Sequence, residues 1–88
     1  RYRRAIGLYK VAGIQRLLGE GEKADAGYRQ ALAEFDRLAD AAPKDGMVTV
    51  GRSGVKAAYG RLLLAIGRTP DGERWLSDAI LERESIDG

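Results

Sequence analysis

The sequence predicts an all-α fold of four helices, paired as two antiparallel helix-turn-helix hairpins over about residues 2–42 and 46–86. Three observations lead there. Apolar residues step by three or four along most of the chain, the spacing of one face of an α-helix. The joins carry grouped helix breakers: Gly19 with Gly21, Pro43 with Gly46, and Gly67, Pro70 and Gly72. The two halves also repeat each other at a fixed offset.

The first segment, Tyr2 to Leu18, contains no proline. Its apolar residues fall at Tyr2, Ala5, Ile6, Tyr9, Ala12, Gly13 and Leu17, with Leu8, Val11 and Leu18 on a second stripe, so it reads as a helix contacted on two sides. Gly19 and Gly21 end it, because glycine tolerates the left-handed conformation at which helices commonly stop. In the second segment Ala24, Tyr28, Ala31, Leu32, Phe35, Leu38, Ala39 and Ala42 form one apolar face. Glu20 and Glu22 favour its start through the helix dipole, and Pro43 stops it near Ala42.

Lys44, Asp45 and Gly46 connect to a third helix ending at Ile66, with Asp45 a candidate N-cap. Its beginning is ambiguous. Met47 to Gly54 holds β-branched residues and two glycines, each costing about 0.5–1 kcal/mol inside a helix, so the helix starts either near Asp45 or only at Ser53. A short strand is the alternative for that stretch. Thr69 is placed as N-cap of the fourth helix, with Pro70 at its first position and Asp71 and Glu73 in the first turn. That helix is expected to bury Trp75 or Leu76, Ala79, Ile80 and Ile86, and to fray at Asp87 and Gly88. Adjacent helical positions point about 100° apart, so one of Trp75 and Leu76 should face outward or toward a neighbouring hairpin.

Composition narrows the function. The 88 residues are 44% hydrophobic and 32% charged with a net charge of +2, a globular balance with room for one small domain. Cysteine and histidine are both absent, which removes disulfides, thiolate zinc sites, the usual neutral-pH general base and the commonest transition-metal ligand. A non-catalytic protein without metal or cofactor is therefore expected. The serine in Gly51 to Gly54 is not a nucleophile elbow, which needs one more residue before the second glycine and a histidine partner. Asp36 and Asp40, four apart beside Arg37, read as a solvated surface. The longest apolar run, Leu62 to Ile66, is far short of the ~20 residues of a membrane span, which predicts a soluble chain. Opening at Arg1 without a methionine and inside a helical pattern, the sequence reads as an excerpt of a longer protein.

With Gly19 and Gly67 superimposed, 48 residues apart, small residues recur at Ala12 and Gly60 and at Ala24 and Gly72. Tyr28 and Leu76 follow, then Ala31 with Leu32 and Ala79 with Ile80. Small residues let two helices approach closely where larger ones would wedge them apart. This pattern resembles the tetratricopeptide repeat, over residues 5–43 and 53–84. The resemblance implies a right-handed α-α stack that binds proteins or peptides. The offset of 48 exceeds the usual period of about 34. That longer period, with Tyr28 to Ala33 and Phe35 to Pro43, is similar to arrays appended to bacterial serine/threonine kinases and related signalling proteins. The kinase motifs themselves are not in the sequence.

In scaffolds of that family the first helix of each hairpin lines a concave binding face. By resemblance the peptide-binding candidates are Tyr9, Lys10, Gly13, Arg16 and Leu17, then Ala57, Arg61 and Leu64. Arg16 and Arg61 would offer paired donors to an acidic ligand. The family's carboxylate clamp is not matched, because Tyr9 and Gly13 stand where the clamp has asparagines. Since a repeat buries its apolar face only against another, neighbouring repeats or self-association are expected. The basic start Arg1, Arg3 and Arg4 supports the alternative, a small helical nucleic-acid-binding domain. Against it, acids are interspersed throughout and no turn leads into a helix dense in base-reading side chains. A cytoplasmic location is expected, with an extracytoplasmic domain of a membrane-anchored protein as the alternative.

Overall fold

In a computed structural model, the backbone is described for residues 2–87 and side chains for residues 2–84. The expectations for Arg1, the Ile86 side chain and Gly88 lie outside the described residues. Four helices follow in order: α1 (Tyr2–Leu17), α2 (Gly21–Ala41), α3 (Gly46–Ala65) and α4 (Thr69–Asp87). Asp87, expected to fray, is the last helical residue. No strand occurs among the described residues. α1 packs on α2 and α3 on α4, forming two hairpins; α3 also packs on α2 and touches α1.

The two hairpin corners are equivalent. Gly19 (φ 78°) and Gly67 (φ 87°) are the positive-φ residues among those described. At the first corner the Glu20 amide donates to the Gln15 carbonyl (2.8 Å) and the Gly19 amide to that of Arg16 (3.1 Å). At the second, Arg68 donates to Leu63 (2.8 Å) and Gly67 to Leu64 (3.2 Å). Both are Schellman closures, in which a left-handed glycine satisfies carbonyls that the helix end would leave without partners.

The start of α3 resolves in favour of the long helix, and the strand alternative is overturned. Asp45 Oδ1 accepts from the Met47 amide at 2.9 Å, capping the first turn. Gly51, which sequence reading counts as a cost, provides room for a ring: a Cβ there would stand 2.6 and 2.8 Å from Phe35 ring carbons. Phe35 is fully buried, and burying such a side chain contributes about 1.5–3 kcal/mol, more than the glycine loses in helix propensity.

α4 begins at Thr69 itself, the residue predicted to be its cap and one before the predicted first position, Pro70. The Arg68 carbonyl accepts from the Gly72 amide at 3.0 Å, so Thr69 and Pro70 are the first two residues of the helix. Proline fits there because the first amides of a helix have no intrahelical partner.

The core draws Ala5 and Ala12 from α1, Ala24, Tyr28, Ala31 and Phe35 from α2, and Val48, Val55, Tyr59, Leu62 and Leu63 from α3. Within the hairpins, small residues sit at the crossings. Ala12 and Ala24 have no exposed surface, and a Cβ on Gly27 would stand 2.9 Å from that of Ala12. Gly60 and Gly72, both buried, face each other in the second hairpin, with Leu64 and Leu76 packed beside them. Rings cross the molecule in a row: Tyr9 on Tyr28 (centroids 6.1 Å), Tyr28 on Tyr59 (6.0 Å) and Tyr59 on Trp75 (5.4 Å). Each pair contributes about 0.5–1.5 kcal/mol beyond its buried area, so this row ties all four helices together.

Three burial expectations are corrected. Ile80 is 59% exposed although its spacing predicts core. The second stripe of α1 is largely open, with Val11 53% and Leu18 69% exposed. Leu17, counted on the first stripe of α1, is exposed as well. Trp75 and Leu76 are both half-buried: Trp75 leans on Tyr59 toward the first hairpin, and Leu76 packs at Gly60. Ala79 is buried as predicted. Among the described residues, no helix is long and apolar enough to cross a membrane.

Candidate functional site

One face of α3 carries Ser53, Gly54, Ala57 and Arg61, spaced at helical intervals and free of bulk except at Arg61. Between Tyr9 of α1 on one side and Leu76, Ala79, Ile80 and Arg83 of α4 on the other, these residues floor a groove of about 360 Å³. Its floor is small because Ser53 is buried and turned into its own helix, its Oγ donating to the Val50 carbonyl at 2.9 Å. Its wall is apolar at Ile80. Its rim is basic: Arg61 and Arg83 are exposed, and neither makes an ion pair among the described residues.

Of the eight residues singled out from the sequence, the groove gathers Tyr9, Ala57 and Arg61. Gly13 is half-buried and faces α2, where a Cβ would stand 3.8 Å from the Tyr28 hydroxyl. Leu64 packs against Gly72 inside the second hairpin. Lys10, Arg16 and Leu17 are exposed and do not line the groove. Sequence reading missed Ile80 and Arg83 as groove residues. Ile80 was legible only as an apolar position, and nothing local distinguishes an open apolar position from a covered one.

Two polar clusters lock the hairpins to each other away from this groove. Tyr59 donates to Asp25 Oδ1 at 2.6 Å and accepts from Arg29 Nε at 3.0 Å, while Arg29 also stands 3.1 Å from Asp25 Oδ2. Burial pushes the Tyr59 phenol above its ordinary pKa, and the bond to Asp25 acts in the same direction. Arg52 bridges Glu82 (2.7 Å) in its own hairpin and Asp36 (3.4 Å) in the other, and Lys56 also reaches Glu82 at 2.9 Å. A second groove of about 420 Å³, lined by Arg29, Asp36, Arg68, Asp71 and Trp75 among others, has its charges matched by such pairs, including Arg68 with Asp71 at 2.6 Å. Among the described residues, no group of three or more acidic side chains is placed to hold a metal ion.

The groove of Tyr9, Ala57, Arg61, Ile80 and Arg83 therefore combines an apolar trough with two exposed guanidinium groups that have no ion-pair partner among the described residues. Compared with known proteins, the chain matches no family model, no curated protein and no solved structure.

Proposed function

We propose that this chain is a non-catalytic protein-binding module, built as a long-period tetratricopeptide-like pair of hairpins stacked with a right-handed turn and serving a larger signalling or assembly protein. The observation that carries the reading is the groove between Tyr9 and Ile80, open on its apolar wall and edged by Arg61 and Arg83. Repetition of the corner hydrogen bonds 48 residues apart supports the repeat architecture. A sequence with neither histidine nor cysteine supports a binding role over a catalytic one. The bound segment is a helix or extended peptide whose apolar side chains meet Ile80 and Ala57 and whose carboxylates meet the two arginines.

Fluorescence anisotropy with a labelled peptide of alternating leucine and glutamate tests this, with a labelled DNA duplex in parallel at low and moderate salt. Saturable peptide binding that Arg61→Glu with Arg83→Glu abolishes is the expected result. Tight, salt-sensitive duplex binding without peptide binding would replace this reading with a nucleic-acid-binding one.

A further inference from the structure

The repeat carries a docking template inside the molecule. A shift of 48 superimposes the corners, and it also carries the ion pair Arg4–Glu34 (3.6 Å) onto Arg52–Glu82 (2.7 Å). Across the join between hairpins, α3 presents Gly51, Val55, Tyr59 and Leu62 along one face. Phe35 covers Gly51, Tyr28 meets Tyr59, and Val55, Tyr59 and Leu62 are each no more than 3% exposed.

Shifted back by 48, Tyr59 and Leu62 become Val11 and Ile14 of α1, which are 53% and 57% exposed. Shifted forward, the receiving residues Tyr28 and Leu32 become Leu76 and Ile80 on the groove wall. Leu32 is 7% exposed and Ile80 is 59% exposed. One end of the molecule thus displays an open counterpart of the seated face, and the other an open counterpart of its seat.

The net charges of the two helices are complementary, although the groove edge itself carries Arg61 and Arg83. α1 carries four basic residues (Arg3, Arg4, Lys10, Arg16) and no acidic one, whereas α4 carries six acidic residues against two basic. The inter-hairpin pair Arg52–Asp36 shifts to Arg4 and Glu84, both exposed and of preserved sign. Three features weaken the contact relative to its template, the first being that Val55, 1% exposed, shifts to Gly7, which has no side chain to bury. Tyr59 and its partners Asp25 and Arg29 shift to Val11, Glu73 and Ser77, which cannot make those hydrogen bonds. Gly51 against Phe35 shifts to Arg3 against Arg83, a like-charge meeting.

We propose that the α1 face of one copy of this chain, centred on Val11 and Ile14, seats in the groove between α3 and α4 of a second copy, head to tail. The inference rests on the reading of that groove as a protein-docking surface but replaces the acidic segment as its occupant, since α1 has no carboxylate to meet Arg61 and Arg83. Because the two contacting faces differ, the contact is heterologous and adds copies in series, with no built-in stop at two.

Sedimentation equilibrium over a concentration series tests it, with circular dichroism confirming that each variant folds. Wild type is expected to grow in mass beyond a dimer. Ile14→Glu spoils only the seated face and Ile80→Glu only the groove, and each alone should weaken association by at least about tenfold, because each places a charge in an apolar contact. Mixed in equal amounts, the two variants should form a dimer and stop, since one retains a good groove and the other a good α1. Arg83→Glu should strengthen association while weakening the acidic peptide's binding. A wild type that stays monomeric, variants that associate unchanged, a mixture that remains monomeric, or an Arg83→Glu chain that associates no better would overturn the inference. Acidic-peptide binding by a monomeric wild type would leave the docking groove standing and refute only the second copy as occupant; absence of both would end both readings.

Discussion

Gly60 and Gly72 meet backbone to backbone across the second hairpin: a Cβ on Gly60 would stand 2.9 Å from the Gly72 carbonyl oxygen, and one on Gly72 would stand 2.7 Å from that of Gly60. Neither neighbour is the movable end of a side chain, so an added methyl must push the helices apart.

Gly60→Ala and Gly72→Ala should therefore destabilise the fold by about 1–3 kcal/mol, although alanine is the better helix former. Gly7, exposed in α1 with nothing within 4 Å of a Cβ, supplies the contrast. Gly7→Ala should stabilise by about 0.5–1 kcal/mol. Urea midpoints for the three variants read the difference, and equal effects at Gly7 and Gly60 would refute the close crossing.

Gly19→Ala and Gly67→Ala should each cost about 1–2 kcal/mol, the penalty for placing a Cβ in the left-handed region. Space is not the issue, since nothing lies within 4 Å of a Cβ at either position. Because the two corners share one hydrogen-bond pattern, the two losses should agree within about 0.5 kcal/mol. Thermal melts showing one variant harmless and the other severe would mean the corners are not equivalent.

Arg52 and Arg4 occupy corresponding positions with different surroundings. The Arg52 side chain is 26% exposed and joins Glu82 and Asp36, whereas that of Arg4 is 72% exposed beside Glu34 alone. Arg52→Ala should cost about 1–3 kcal/mol because Glu82, only 10% exposed, loses one of its cations. Arg4→Ala should stay within about 0.5 kcal/mol. Chemical denaturation of both variants decides it, and a loss at Arg4 matching that at Arg52 would contradict the burial argument.

Alkaline pH should act through Tyr59. Its folded-state pKa lies above the ordinary 10.0, first through burial and then through its bond to Asp25. The unfolded chain then gives up this proton at lower pH than the folded one. The associated stability is full below pH 10 and is lost as pH rises through the folded value. Tyr59→Phe should be less stable than wild type by about 1 kcal/mol at neutral pH, and that gap should narrow above pH 10. A gap that stays constant into the alkaline range would remove Tyr59 as its source.

What the sequence revealed depended on how local the cause was. Gly19 and Gly67 marked the corners because a single residue's backbone freedom decides a turn, and α2 was legible because one clean apolar stripe faces the core. The start of α3 was not, because the use of Gly51 is set by the Phe35 ring of another helix. Ile80, Val11 and Leu18 carry the spacing of buried residues and lie open, since periodicity records what a face can cover and not whether anything covers it. Lys10, Arg16 and Leu17 sit on the first helix of the first hairpin, yet three-dimensional placement keeps them off the groove that Tyr9 reaches.

The row of rings from Tyr9 through Tyr28 and Tyr59 to Trp75 has an optical consequence. Tyr9, Tyr28 and Tyr59 stand close enough in series to pass absorbed light to Trp75, so exciting tyrosine in the folded chain should give mainly indole emission. Once the helices separate, the phenols regain an emission of their own. The chain thereby carries an intrinsic signal of whether its four helices are still assembled.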